Sequence, residues 1–250
     1  TILAHASVNL WNELSDFRTK IDEHTRRTPF SGGSGNLQIG LTSPRAVRAA
    51  AIGTLLAALG CGLYLTWVSG PELLLFIAAG GVAAVFYTSH MARFALGELA
   101  AGTCLGTFVV LGTYFSMAGG LTWSVVWLSI PPGILTALLL LLNEFPDAEA
   151  DRAGGRRHLV IVLGRRGAAV VYTVSLAAVY VIVGVGAAMG WFPAWVLLSF
   201  LTLPLAVRAA VGALRDGTGD DLSRLVPAQA ANVGVVLGTD LLLAIAYFIA

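Results

Sequence analysis

The chain has 250 residues, 57% of them hydrophobic and 12% charged, with a mean hydropathy of +0.81. That excludes an ordinary soluble domain, whose charged fraction is about a quarter. The formal net charge of +1 is uninformative as a total, but its distribution along the chain is not.

Apolar runs near residues 1–17, 46–68, 72–90, 95–117, 122–145, 168–189, 192–212 and 229–250 predict eight membrane-crossing helices, each close to the roughly 20 residues that span a hydrocarbon core. The fold class expected is all-α, a polytopic transmembrane bundle. The chain opens at Thr1 inside the first apolar segment, Ile2 to Leu14, so one further helix is expected upstream, nine in all.

That first segment ends in Asn12-Glu13-Leu14-Ser15-Asp16, with Asp22 six residues on, and leads into a long polar stretch over about 18–44. The stretch carries Arg18, Lys20, Arg26 and Arg27 and the run Ser31-Gly32-Gly33-Ser34-Gly35. Such a run reads equally as a lid whose backbone N–H groups wrap phosphate or as a plain flexible connection. Loops at Ser69-Gly70-Pro71, Ala118-Gly119-Gly120 and Gly190-Trp191-Phe192-Pro193 hold no Lys or Arg and read as tight hairpins between antiparallel helices. Between them Tyr87 and Arg93 close one span and Glu98 opens the next, a third place where polar side chains could reach a common site. Gly80-Gly81, Gly102, Gly106 and Gly112 suit close helix packing in lipid.

The fifth span runs into Asn143-Glu144-Phe145-Pro146-Asp147 and then Asp151, followed by a basic, glycine-bearing connection over about 147–167 with Arg152, Arg156, Arg157, Arg165 and Arg166. Arg45 and Arg48 ahead of the second span, with Arg208, Arg215 and Arg224, complete the fifteen Lys and Arg. If the spans alternate, every basic loop falls on one side, which the positive-inside rule makes the cytoplasm. Asp240 lies near the middle of the last span and reads equally as a structural hydrogen-bonding group or a substrate contact. Cys61 and Cys104 sit in apolar spans, where no disulfide or Cys-based metal site is expected.

Two carboxylate clusters at helix ends are costly in a chain so poor in charge. On a continuous helix Asn143, Asp147 and Asp151 share one face, as do Asn12 and Asp16, and their mutual repulsion calls for a counter-charge. Hard oxygen ligands suit Mg²⁺ or Mn²⁺, which bind one or two carboxylates and leave other positions to water and phosphate. The metal ligands read from the pattern are Asn12, Asp16, Asp22, Asn143, Asp147 and Asp151, holding two Mg²⁺ that Mn²⁺ can replace. The cations around them, Lys20, Arg26, Arg27, Arg93, Arg152, Arg156 and Arg157, are read with Asn12 and Asn143 as diphosphate ligands. Arg165 and Arg166, beside the following span, fit a topogenic role better.

These residues resemble the UbiA superfamily of intramembrane prenyltransferases, which has two aspartate-rich motifs. Asn12 to Asp16 with Asp22 is similar to the first motif. Asn143 to Arg152, continuing into Gly155-Arg156-Arg157, is similar to the second. The spacing of Asp22 and the residues around Gly97-Glu98 are most similar to the menaquinone-branch 1,4-dihydroxy-2-naphthoate prenyltransferases, with Tyr87 and Arg93 at the positions of a Tyr and a Lys there. Glu13 and Glu144 stand where Asp is more usual, Arg93 stands for Lys, and the prolines usual between Tyr87 and Arg93 are missing.

The resemblance covers essentially the whole chain and implies one prenyltransferase domain over 1–250, with a central cavity opening to the cytoplasmic side. It implies Mg²⁺-dependent transfer of a prenyl group from a polyprenyl diphosphate to a small aromatic acceptor, a quinone precursor, through an allylic cation. Asp16, Asp22, Asp147, Asp151 and Tyr87 are then the catalytic set. Trp67, Phe86, Phe108, Tyr114 and Phe115 could line the exit of the prenyl tail to the bilayer. The expected setting is the cytoplasmic membrane, with no nucleic acid and no obligate protein partner. Two other readings keep some of these residues: a terpene cyclase on the same diphosphate site, and a divalent-cation transporter. The second is disfavoured because the acids lie at one membrane face beside many Arg.

Overall fold

In hydrocarbon the backbone has no water to bond, so an apolar run satisfies its N–H and C=O groups internally as a helix. A computed structural model describes residues 1–19, 29–30, 33–86, 94–219 and 221–250, without the side chains of residues 84 and 85, and among them it is entirely helical, with turns between. Each of the eight predicted spans is a helix. They are α1 (Ile2–Thr19), α2 (Pro44–Ser69), α3 (Leu73–Phe86), α4 (Gly97–Ala118), α5 (Trp123–Asn143), α7 (Leu159–Ala188), α8 (Ala194–Arg215) and α9 (Leu222–Phe248), with a short α6 (Ala148–Ala153) between α5 and α7.

Six of these, α2, α4, α5, α7, α8 and α9, are long and apolar enough to cross a membrane. The chain is accordingly a multi-pass integral membrane protein, with exposed Leu, Val and Trp side chains over its outer faces. α1 is more polar, and α3 is 14 residues long.

The core lies between α5, α7, α8 and α9, where Leu135, Leu138, Leu142, Tyr172, Val179 and Val235 are buried. Polar pairs run through it. The Tyr172 hydroxyl donates to Asn232 at 2.8 Å, Asn232 Nδ2 donates to the Leu138 carbonyl at 3.2 Å, and Tyr180, Thr202 and Thr239 share hydroxyl hydrogen bonds of 2.8 Å. Such interhelical bonds substitute for a hydrophobic drive that lipid does not supply.

The glycine expectation is half right. On α4 an added Cβ at Gly102 would lie 2.6 Å from the Gly133 carbonyl oxygen, and one at Gly106 would lie 2.5 Å from Gly133 Cα. Here α4 and α5 touch backbone to backbone, beside a π-helical turn at Gly102–Thr107 and opposite Pro131 and Pro132. Gly80 and Gly81 meet nothing within 4 Å, and Gly112 only grazes Phe76.

α1 and α2 form a thinner unit. Ser7 donates to the Ala51 carbonyl at 2.8 Å, and Leu14, Leu37 and Val47 make a small core of their own.

Candidate functional site

The second motif does not lie along one helix face as its spacing predicts. Pro146 has no N–H to bond to the carbonyl four residues back and disfavours helical backbone at Phe145, so α5 ends at Asn143 and residues 144–147 form turns before α6. Phe145 is fully buried, with Ala148 and Ala150 beside it, and this anchor fixes where Asp147 and Asp151 stand.

The connection after α6 is shorter than expected, because α7 starts at Leu159 rather than near 168. Its first turns bend at Gly164, whose φ of 71° and ψ of 162° suit glycine alone. Arg165 and Arg166 therefore belong to a helix, and Arg165 pairs at 3.4 Å with Glu149, the exposed carboxylate of the second motif, which does not line the cavity.

α6 ends in a glycine cap. Gly155 has φ of 81°, its N–H donates to the Arg152 carbonyl at 3.1 Å, and the Arg156 N–H donates to the Asp151 carbonyl at 2.8 Å. This cap folds the chain back so that the Arg156 guanidinium returns to Asp151, donating from Nη1 to Oδ1 at 3.1 Å. Its Nη2 donates to Asp16 Oδ1 on α1. The counter-charge that the clusters demand is thus Arg156, and it joins the first motif to the second.

Asn12 of α1 faces Asn143, Asp147, Asp151 and Arg156 across one cavity of about 240 Å³, with Glu144, His158, Gly97, Leu140 and Phe30 completing its sides. Gln229, fully buried on α9, donates to Asn143 Oδ1 and to the Leu142 carbonyl, both at 3.4 Å, which orients the Asn143 amide.

Sequence reasoning missed His158, which with Glu144 forms part of this cavity's wall, and it placed Glu98 only as a polar side chain that could reach the site. His158, 4% exposed, places Nε2 3.3 Å from Asp151 Oδ2 and Nδ1 3.6 Å from Glu144 Oε2. Glu98, 3% exposed, accepts the Leu159 N–H at 2.7 Å, supplying from α4 the cap that α7 lacks locally. The Ala95 N–H donates to the Arg157 carbonyl at 2.8 Å, which docks the start of α4 on the same turn. Burial first, then the charges of Glu98 and Asp151, push the Glu144 carboxyl well above the usual carboxylate range, and Arg156 only partly counters this.

Glu98 and Glu144 were legible as polar residues near the motifs. His158 carried no signal, since a lone His between Arg157 and Leu159 has no partner in sequence.

Not every expected residue meets the cavity. Arg152 and Arg157 are exposed and do not line it. Trp67, Phe86, Phe108, Tyr114 and Phe115, read as the exit of a prenyl tail and not as part of this site, do not line the cavity; Phe108 packs edge-on against Phe76 at 5.5 Å and Trp67 is exposed to the outside. Lys20, Asp22, Arg26, Arg27, Tyr87 and Arg93 lie outside the described residues. Asp240 is partly buried, and its Oδ1 has no hydrogen-bond partner among them.

Comparison with known proteins bears on the same residues. The model of the UbiA prenyltransferase family matches residues 1–233. The 1,4-dihydroxy-2-naphthoate octaprenyltransferase of Bacillus subtilis is 30% identical over 211 residues, which is 82% of this chain and 66% of that protein. The UbiA prenyltransferase domain-containing protein 1 homolog of Drosophila melanogaster is 31% identical over 194 residues, 75% of this chain and 52% of that one. The 1,4-dihydroxy-2-naphthoate octaprenyltransferase of Mycobacterium tuberculosis is 29% identical over 182 residues, 72% of this chain and 61% of that one. The chain thus spans just under two thirds, or less, of these relatives' own lengths. The apo structure of a UbiA homolog from Aeropyrum pernix K1 superposes with a TM-score of 0.71 at 18% identity, over 98% of this chain and 86% of that one, a likeness of fold.

Proposed function

This chain belongs to the UbiA prenyltransferase family, and from that premise we propose that it transfers a prenyl group from a polyprenyl diphosphate to a small aromatic acceptor, a quinone precursor, releasing pyrophosphate. The observation that carries the reading is the convergence of both acid motifs on one cavity, with Arg156 bridging Asp16 and Asp151.

At about 240 Å³ the cavity is smaller than the roughly 300–1,000 Å³ of ordinary small-molecule pockets. It fits a diphosphate head better than a whole isoprenoid, whose tail would lie among the apolar helix faces.

The donor set fits Mg²⁺, since amide oxygens of Asn12 and Asn143 and carboxylates of Asp147 and Asp151 surround the cavity and are hard oxygen ligands. Those four with Asp16 and Asp22 would hold it, and the metal would supply positive charge against the leaving diphosphate. The protein's own part follows from its side chains. Arg156 offers a guanidinium that can bond phosphoryl oxygens in two-pronged fashion, Gln229 keeps the Asn143 amide aimed, and Leu140 and Phe30 give the polar floor an apolar wall that keeps water from an allylic cation. In the same reading the site faces the cytoplasm, on the side of the basic loops, and residues 1–250 act as one domain.

The test is turnover by purified protein with Mg²⁺, a set of prenyl diphosphates and an aromatic acceptor panel, with products read by mass spectrometry. Acceptor-dependent pyrophosphate release is expected, falling about 10²–10³-fold in Asp147→Ala, the loss typical of removing one preorganised electrostatic group. Undiminished turnover in that variant would refute the reading. Release without acceptor, with a cyclic hydrocarbon product, would replace transfer by cyclisation.

A further inference from the structure

At one wall of the cavity three elements meet at their ends. Glu98 comes from the first turn of α4, Glu144 lies one residue past α5, and His158 caps α7; each offers a ligand atom, and these lie within 4.8 Å of one another. Glu98 and His158 are more than nine-tenths buried, and Glu98 Oε2, Glu144 Oε2 and both His158 nitrogens have no hydrogen-bond partner among the described residues.

Two ionised carboxylates removed from water each cost several kcal/mol unless a cation offsets them. Arg156 is engaged with Asp16 and Asp151, and among the described residues Glu98 has no ion pair. Something must therefore neutralise the pair: a metal ion, or a proton held within the cluster by a carboxylate or by His158, whose nitrogens lie 3.6 Å from Glu144 and 3.3 Å from Asp151.

The surrounding contacts favour a metal. The second oxygen of Glu98 is held by the Leu159 N–H at 2.7 Å, which leaves Oε2 aimed into the cluster. The second nitrogen of His158 turns to Asp151 Oδ2 at 3.3 Å. A metal-bound histidine usually gives the N–H of its other nitrogen to a carboxylate, and Asp151 is the carboxylate within reach of Nε2, although the two are not hydrogen-bonded as they stand.

We propose that Glu98 Oε2, Glu144 Oε2 and His158 Nδ1 bind a resident divalent cation, Zn²⁺ or Mn²⁺ in preference to Mg²⁺, with a ligand set of its own at the edge of the Asp-motif cavity, whose wall includes Glu144 and His158. The imidazole sets the preference, since nitrogen donors suit Zn²⁺ and all-oxygen sets suit Mg²⁺. The ion staples α4, α5 and α7 together and, through His158, orients Asp151. This goes beyond the diphosphate reading and does not depend on it, because the three ligands are in place without substrate.

The experiment uses the full chain in detergent, stripped with chelator, free of diphosphate, and dialysed against limiting Zn²⁺ or Mn²⁺. Elemental analysis should find about one equivalent of Zn²⁺ in the wild type and in Asp147→Asn, a variant that disables the Asp-motif ligand set. Glu98→Gln and His158→Gln should bind at least about tenfold more weakly, with folding checked by circular dichroism and gel filtration.

X-ray absorption at the zinc edge should show one imidazole and oxygen neighbours at about 2.0–2.1 Å in the wild type. That spectrum decides the matter even if both variants fail to fold. A stripped wild type that takes up no metal, a shell without imidazole, or folded Glu98→Gln and His158→Gln that bind like wild type would each overturn the proposal; the first would leave a proton held within the cluster. Loss of turnover in Asp147→Asn with zinc retained separates this site from the diphosphate reading.

Discussion

The two acid motifs sit on regions built to different standards. The second is set into the packed bundle of α5, α7, α8 and α9, where 39–44% of each helix's most apolar stretch is buried. The first rides on α1, whose partner α2 is only 6% buried over the corresponding stretch and whose shared core is Leu14, Leu37 and Val47. One side of the cavity is held by a core, the other by a few polar ties: Arg156 to Asp16, Ser7 to Ala51, and Ser34 to Glu13 at 2.6 Å. A rigid wall facing a lightly held one is the arrangement expected where a substrate must be enclosed and then released.

The strongest way to break this contrast is Arg156→Ala. It removes the tie between the two regions and leaves Asp151, 4% exposed, as an uncompensated buried charge. A loss of about 3–5 kcal/mol is expected, read as a lowered unfolding midpoint in detergent. Hydrogen exchange should accelerate first in α1. A midpoint unchanged from wild type would mean that Arg156 does not join the regions.

A smaller effect separates the regions by packing. Gly106→Ala places a methyl against the α5 backbone and should cost about 1–3 kcal/mol. Gly80→Ala meets open space on α3 and should change stability by no more than about 0.5 kcal/mol. Equal losses at the two positions, measured by the same unfolding assay, would erase the distinction.

The smallest expected effects sharpen it. Tyr172→Phe and Ser7→Ala each delete one buried hydroxyl bond worth about 0.6 kcal/mol on average in such bundles. The first should lower the global midpoint, because α7 unfolds with the core. The second should appear as faster local exchange in α1 and α2 with little change in the midpoint. The reverse pattern would place the weaker unit in the C-terminal bundle.

What could be read ahead of the structure divides along the same physical line. Eight helical segments, the bare hairpins and the two acid motifs followed from composition and spacing. Gly102 and Gly106 were correctly marked for close packing, while Gly80 and Gly81, identical in type, proved open, because a glycine declares what it permits and not what approaches it. The helical face drawn through Asn143, Asp147 and Asp151 failed at Pro146, a break whose cause stood in the chain but whose effect on direction did not.

Hydropathy alone was enough to commit this chain to membrane helices, since each segment must satisfy its own backbone in lipid whatever its neighbours do. Charge spacing was enough to single out both helix ends as candidate sites for a cation or an anion. Tertiary packing decided which of those groups meet. It swung Arg156 between Asp16 and Asp151 by way of a glycine cap, and it drew Glu98, Glu144 and His158, far apart in sequence, into one buried cluster. Contacts of that kind depend on where three helix ends arrive together, and no local pattern of residues carries that information.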